Sequence, residues 1–365
     1  MTILDLQKTD LLVDKICDYQ PNPNPNKMPQ IVDKWMLASN LQKCIRRGLV
    51  DNAAATAIKL VSIDPKYFWR RLLVIAYEDI GVSAIPLCHE LLKTFRREAL
   101  HRDLGVARVA AYFAVALANS RKSRTLCDAI AMLEFNVRLG EIETRCTDLT
   151  DSQLTNLISS VGEPMIDRVA ALRHICGYRE NAYSSYRMIT PPRPDLMREV
   201  CSALALSDIE TALFLSGQNT SESMNVALPV VIQLARGEQH DKQSSQNFEG
   251  TDGLLYATLD RHTRIGKRCF AKFAKEISPA TEFFQKHPDL KPVDVLGVAV
   301  FIIEGSQLDH WVTFPESDDL RQTFERNFLE HTGLTGAAAN ELLTITSTNL
   351  PSLNRIRAEA LKQDY

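Results

Sequence analysis

Residues 260–275 hold the side chains whose types and spacing could do chemistry. The segment reads DRHTRIGKRCFAKFAK. Asp260 and His262 could act as an acid–base pair while Arg264 holds a phosphate, which would suit an enzyme that acts on nucleic acid or a nucleotide. On a regular helix, however, residues 260 and 264 share a face while residue 262 points to the opposite side. We therefore expect Asp260 to cap a helix or pair with an arginine, and the enzyme is the alternative.

The same segment carries a stripe of positive charge. Its cations recur three or four residues apart, with one more beside them, and this spacing gathers them on one face of a helix. They are Arg261, Arg264, Lys267, Arg268, Lys272 and Lys275. Several cations on one face can neutralise several phosphates, which gives an affinity that depends on salt but not on base sequence. The other reading is a solvated face whose cations pair with acidic neighbours.

A shorter basic segment precedes another predicted helix. Arg121, Lys122 and Arg124 lie where exposed backbone amides at a helix start add affinity for anions. We predict a phosphate contact here, with a loop of solvated charges as the alternative.

Two acids and four arginines suggest an internal ion-pair network. The acids lie at the end of a predicted helix, where negative charge opposes the helix dipole and needs compensation. The set is Glu78 and Asp79 with Arg46, Arg47, Arg70 and Arg71. We interpret it as a structural salt-bridge cluster between helices rather than as a ligand site.

Motif searches find no catalytic signature. The chain has no G-x-x-x-x-G-K-[ST] phosphate loop and no H-E-x-x-H, and its eight cysteines include no C-x-x-C pair. We therefore expect no cofactor and no metal site. A net charge of −3 restricts any nucleic-acid contact to local patches. With no apolar run of about 20 residues and no signal-peptide pattern, we expect a cytoplasmic protein without a membrane segment.

The apolar residues recur at helical spacing almost throughout, which predicts an all-α fold. Asp64 before Pro65 indicates a helix start, Gly81 a helix end, and Ser207 with Glu210 a capping box. The proline-rich stretch before residue 28 and the polar stretch near residue 245 suggest the division of the chain. We predict an extended arm or linker at 1–28, a helical domain at 29–236, a polar linker or mobile loop at 237–253, and a second helical domain with the basic stripe at 254–365.

Residues 41–131 resemble a known family. They read LQKCIRRGLVDNAAATAIKLVSIDPKYFWRRLLVIAYEDIG and end on VAAYFAVALANSRKSRTLCDAIAML. The stretch is similar to the helical region behind the motor of the replication-associated recombination ATPases, the RarA or MgsA type of clamp-loader-like AAA+ proteins. The resemblance rests on the R-R-G before an Ala-rich helix, on R-R-L, on Y-E-D-I-G and on K-S at a further helix start. It implies a clamp-loader-collar-like bundle.

In that family the region supports self-association into tetramers and serves proteins that act at stalled or gapped DNA. The resemblance therefore implies an oligomerising module in DNA metabolism, without the ATPase. We predict a non-enzymatic DNA-associated adaptor in replication, repair or mobile-element biology. Its expected partners are single-stranded or forked DNA, a replication or repair protein such as an ATPase, and further copies of itself. The alternative is the enzyme that would use Asp260, His262 and Arg264.

Overall fold

The computed structural model describes residues 11–21, 24–136, 138–179, 187–188, 190–220, 222–244 and 249–364. Most of them are helical, which confirms the all-α prediction. The few strands are short and pair only two by two.

The helices of the first half follow one another with short connections. They are α1 (Leu11–Asp18), α2 (Lys34–Arg46), α3 (Val50–Ile63), α4 (Pro65–Ile75), α5 (Ile85–Phe95), α6 (Glu98–Leu104), α7 (Val106–Asn119), α8 (Thr125–Glu134), α9 (Leu139–Thr147), α10 (Asp151–Ser159) and α11 (Met165–Ile175). A two-residue pair, β1 (Tyr178–Arg179) with β2 (Arg187–Met188), follows α11.

The second half combines helices with two small strand pairs. Its helices are α12 (Pro194–Ala203), α13 (Asp208–Gly217), α14 (Leu228–Leu234), α15 (Arg264–Glu276), α16 (Ser278–Lys286), α17 (Pro292–Val300), α18 (Pro315–Glu330), α19 (Gly336–Thr348) and α20 (Leu350–Asp364). Its strands are β3 (His240–Gln243), β4 (Gly250–Thr251), β5 (Leu254–Leu255) and β6 (His310–Thr313). Strand β3 pairs with β6 and β4 with β5, both antiparallel.

Small residues let the central helices approach closely. Helix α3 packs along α7 through buried alanines that include Ala53, Ala57, Ala110 and Ala114. Alanine has no side-chain entropy to lose and little bulk, so two such faces can come into contact along their length. Helix α2 packs against both α3 and α7, and its basic C-terminal end contacts the second half of the chain.

Two π-helical turns continue α4 and α17. They are Ala76–Ile80 and Phe301–Gly305. Such turns are rare and often lie at functional sites. The first ends at Gly81, whose φ of 49° lies in the left-handed region that favours glycine.

The division into domains differs from the prediction. Buried apolar residues form one connected cluster from Leu12 to Leu361, so the stretch 237–253 does not separate two cores. Part of that stretch is strand β3, because its backbone pairs with β6. Residues 245–248 lie outside the described part of the chain.

The structure also differs from the extended arm that was predicted at 1–28. Residues Leu11–Asp18 form a helix, since Leu12, Val13 and Ile16 recur at helical spacing and are buried. Tyr19 then packs edge-on against Tyr112, with 5.9 Å between ring centres. Residues 1–10 and 22–23 lie outside the described part.

Among the described residues, one helical stretch is long and apolar enough to cross a membrane by length and composition alone. It is Pro65–Phe95, and 56% of its most apolar window is buried inside the protein. A buried core helix passes the same test, so this stretch is weak evidence for a membrane segment.

We expect Gly81→Ala to destabilise the fold by about 1–3 kcal/mol, because alanine strains the positive φ. Its added methyl group would also lie 3.2 Å from Leu126 Cδ1. Gly140→Ala is the matched control, because nothing lies within 4 Å of its added methyl group and its φ is not positive. Urea unfolding of the variants measures both effects. Equal midpoints for both variants would contradict the strain at Gly81.

Candidate nucleic-acid interface

A buried ion-pair cluster holds the first π turn. Asp79 is 0% exposed, and its Oδ1 accepts from Arg46 Nε and Arg124 Nη1, each at 2.8 Å. Its Oδ2 accepts from Gln42 Nε2 at 3.0 Å and from Arg46 Nη2 at 3.1 Å. Glu78 Oε1 accepts from Arg124 at 2.9 Å and from Arg46 at 3.1 Å.

The charges of this cluster balance inside the protein. Burial alone would raise the pKa of Glu78, but the guanidinium groups of Arg124 and Arg46 outweigh it and hold that pKa well below its usual range. Two arginines and two carboxylates thus compensate one another. Removing one member would leave a buried charge without its partner.

The cluster also joins the two halves of the chain. Arg46 Nη1 donates to the carbonyl oxygen of Gly305 and Arg47 Nη2 to that of Glu304, at 2.8 Å for the latter. The guanidinium of Arg124 lies 5.4 Å from the ring centre of Phe301. Both carbonyls and the ring belong to the second π turn, so the two π turns are held by the same arginines.

The membership of the predicted cluster needs two corrections. Arg70 is exposed and lies outside the cluster, whereas Arg124 belongs to it. Arg71 is half-buried and donates to Gln42 Oε1, so it borders the cluster. Arg70 points away because the buried face of α4 is set by Phe68, Leu72 and Ile75.

The predicted phosphate contact at residues 121–124 is wrong for two of its three cations. Lys122 is 1% exposed and Arg124 is 4% exposed. Lys122 Nζ donates to the carbonyl oxygen of Ala118 at 2.8 Å, and its backbone pairs with β6 through His310 and Val312. Burial lowers the pKa of Lys122 to about 8. Arg121 is exposed and pairs with Asp241 at 3.1 Å.

The basic stripe lies on α15, which begins at Arg264. Thr263 caps this helix, with its Oγ1 accepting from Gly266 N at 3.0 Å. Ile265, Phe270 and Phe273 face the core, so the polar side chains face outward. Arg261 precedes the helix, and its guanidinium lies 5.3 Å from the ring centre of Phe328. Arg261 is therefore packed against the protein and does not extend the stripe.

Helix α20 runs antiparallel beside α15 and neutralises part of the stripe. Arg268 pairs with Asp364, and Lys272 pairs with Glu359 at 3.0 Å. The remaining cations of the stripe are exposed and form no ion pair with the described residues. They are Arg264, Lys267 and Lys275.

The outer sides of α15 and α20 together form what we call the basic face. Its cations are Arg264, Lys267, Arg268, Lys272, Lys275, Arg355 and Lys362, and its carboxylates are Glu276, Glu359 and Asp364. Seven cations against three carboxylates leave a positive surface on a chain whose net charge is −3.

Asp260 lies in a cleft of about 380 Å³ between α2 and α17, and not on a helix. Because residues 260–263 form a turn, Asp260 and His262 line the same cleft, so the expected opposition of the two side chains is wrong. Asp260 Oδ2 accepts from Lys43 Nζ at 2.5 Å and from Ser39 Oγ at 2.8 Å. Its Oδ1 accepts from His262 N at 2.9 Å.

These contacts leave Asp260 little capacity for acid–base work. Burial alone would raise its pKa, but Lys43 outweighs the burial and lowers that pKa to about 2. A carboxylate with so low a pKa is a weak base. Within the described residues, no group of three or more His, Cys, Asp or Glu side chains could hold a metal ion. The cleft thus holds an ion pair between distant segments of the chain.

Two residues that line this cleft were not predicted from the sequence. Lys43 lies 217 residues from Asp260, and no local pattern indicates their pairing. Trp35 is 60% exposed at the start of α2. A signal for it does exist, since the buried stripe through Met36, Leu37 and Leu41 leaves residue 35 off the apolar face.

We expect Asp79→Asn to lower the free energy of unfolding by about 3–5 kcal/mol, because it leaves buried arginine charge uncompensated. Asp195→Asn is the matched control, since the pair of Asp195 with Arg198 is exposed. Urea unfolding measures both. An Asp79→Asn protein as stable as the control would contradict the cluster's role.

Asp260 makes the stability depend on pH. Its folded pKa of about 2 lies below the ordinary 3.8, so its contribution is fully present above pH 4 and is lost as the pH falls towards 2. We therefore expect the stability lost in Asp260→Asn to be greatest near pH 7 and to shrink below pH 4, as urea unfolding at several pH values would show. The double variant Lys43→Met with Asp260→Asn should lose less, because no buried charge remains. Equal losses at pH 7 and pH 3 would contradict the ion pair.

The chain was compared with protein-family models, curated proteins and solved structures. None of the three comparisons finds a match. The similarity of residues 41–131 to the RarA or MgsA type therefore stays a prediction from the sequence, and the function is argued from the geometry of the basic face.

Proposed function

We propose that this protein is a non-enzymatic adaptor that holds single-stranded or forked DNA on its basic face. The observation that carries the proposal is the excess of exposed cations on α15 and α20 of an otherwise acidic chain. A local positive surface attracts phosphates and releases their counterions, which favours binding without base specificity.

The arrangement of charge within the face supports contact along a strand. Arg264 and Lys267 lie in the first turn and Lys275 in the last turn of one helix of 13 residues, which is about 20 Å long. The paired cations Arg268 and Lys272 lie between them. Exposed ion pairs contribute little to stability, so a phosphate can compete for these two cations.

The resemblance adds two parts to the proposal that the geometry does not address. One is self-association into an oligomer, and the other is a replication or repair partner such as an ATPase. A tetramer would bring several basic faces together, which raises the affinity for one strand through multivalency.

The enzyme alternative has less support. Asp260 is engaged by Lys43, Ser39 and the backbone amide of His262. Arg264 lines a neighbouring cavity from which Asp260 is absent. The three side chains therefore do not converge on one position, as a common reacting atom would require.

We expect the triple variant Arg264→Gln, Lys267→Gln and Lys275→Gln to bind labelled single-stranded DNA more weakly in low salt. The slope of log affinity against log salt should become shallower by about 2, because each lost phosphate contact accounts for about 0.7. Fluorescence anisotropy across a salt series measures both quantities.

The matched control removes the same charge elsewhere. Arg102→Gln, Arg138→Gln and Arg198→Gln replace three exposed arginines outside the basic face. The control should bind DNA nearly as the unchanged protein does. Equal weakening of the two triple variants would show that net charge, and not this face, determines the affinity.

A further inference from the structure

Trp35 stands out among the apolar side chains of the protein. It is 60% exposed, whereas Trp69 is 5% exposed. Within the described residues it is the only aromatic among the large apolar side chains that are exposed. Exposure of an indole ring forgoes the free energy that its burial would contribute.

The ring of Trp35 is held in a defined position. Asp33 caps α2 by accepting from the backbone amide of Trp35 at 2.8 Å. The edge of Tyr67 packs against the indole, with 5.2 Å between ring centres and 68° between planes. Lys34 Nζ lies 5.2 Å from the Tyr67 ring and pairs with Asp64 at 2.8 Å. The exposed indole therefore belongs to a built arrangement and not to a loose chain end.

Two cavities meet at this ring. Trp35 lines the cleft of about 380 Å³ that contains Asp260, and a second cavity of about 580 Å³ lies beside that cleft. Trp35, His262 and Thr263 line both. Each cavity is within the range of volumes that ligand sites have.

The second cavity opens onto the basic face. Its lining includes Arg264 at the start of α15 and Asp364 at the end of α20. Arg264 is the first of the exposed cations of the stripe. A strand that follows α15 towards its first residue therefore arrives at the indole of Trp35.

The lining suits one kind of occupant. A nucleobase has an apolar π face and a polar edge, and here an exposed indole is bordered by Asp33, His262, Thr263 and Arg264. Stacking on an aromatic side chain tolerates every base, because every base has a π face. An apolar peptide side chain would fill the cavity but leave this polar border unused. The nearby positive face favours a ligand that also carries phosphates.

We propose that Trp35 stacks against an unpaired base of single-stranded DNA, with His262 and Arg264 facing the adjoining backbone. This inference rests on the proposed function. It names the residue at which the bound strand contacts the protein through a base. Stacking at one end of the basic face would favour single strands over duplex, because the bases of a duplex are already stacked on one another.

The test compares two strands of equal length and charge. One is oligothymidylate, and the other is the same backbone with abasic residues. We expect Trp35→Ala to weaken binding of oligothymidylate about 10- to 100-fold, the effect of losing one stacked base. Binding of the abasic strand should not change. Trp35→Phe should keep part of the affinity for oligothymidylate, because phenylalanine retains a smaller π face.

A second measurement reports on the ring itself. Oligothymidylate should quench part of the tryptophan fluorescence of the unchanged protein, and Trp35→Phe should remove that part. The signals of Trp69 and Trp311 should remain. Thermal unfolding of each variant checks that the fold is retained, as expected for an exposed side chain.

The outcomes separate this inference from the function on which it rests. If Trp35→Ala binds oligothymidylate as the unchanged protein does while the triple variant of the basic face binds weakly, the stacking is overturned and the proposed function stands. If no single strand binds the unchanged protein at low salt, both fail. If Trp35→Ala instead lowers the mass measured by light scattering without DNA, the ring serves contact between copies of the chain and the stacking is overturned.

Discussion

Asp79 is buried, and both of its carboxylate oxygens accept hydrogen bonds from arginines. The arrangement of the rest of the protein depends on these arginines. Arg46 comes from α2 and Arg124 from the start of α8. The same two side chains contact the second π turn through Gly305 and Phe301. A buried charge tolerates little displacement, because each lost partner leaves a large desolvation cost uncompensated. The cluster therefore fixes where α17 and its neighbours lie relative to α2.

The buried ion-pair cluster also constrains the position of the proposed DNA-binding surface, because packed helices connect the two. Helix α15 lies against α17 and α20, and the turn before α15 is held to α2 by the pair of Asp260 with Lys43. The exposed cations and Trp35 thus lie on elements tied to the same interior. A surface that binds a flexible strand benefits from such rigidity, because less freedom is lost when the strand binds.

The helix starts that depend on neighbouring residues were predicted correctly from the sequence. Asp64 caps α4, with its Oδ1 accepting from Tyr67 N at 3.0 Å, and Pro65 is the first residue of that helix. Ser207 and Glu210 form the predicted capping box. These contacts join residues three positions apart, so the pattern of residue types is sufficient to predict them. The all-α character follows in the same way from the spacing of apolar residues.

Most of the partners distant in the sequence were not predicted. Lys122 looked like a surface cation, but strand β6 covers it with residues almost 190 positions later. Arg124 was also assigned to the surface, although it is buried and compensates Glu78 and Asp79. A charged side chain pairs with whatever acid the fold brings near it, and the sequence alone does not show which acid that is. The basic stripe was visible as a pattern, and pairing with acidic neighbours was its alternative reading, but the sequence did not show that α20 carries those acids.

The central claim is that the face formed by α15 and α20, with Trp35 at its end, is where single-stranded DNA lies. Photocrosslinking of an iodouracil-substituted single strand to the unchanged protein, followed by mass spectrometry of the adducts, locates the strand directly. The account predicts adducts on peptides that contain Trp35 and on peptides of α15 and α20. Adducts confined to other parts of the chain, or none at low salt, would contradict it.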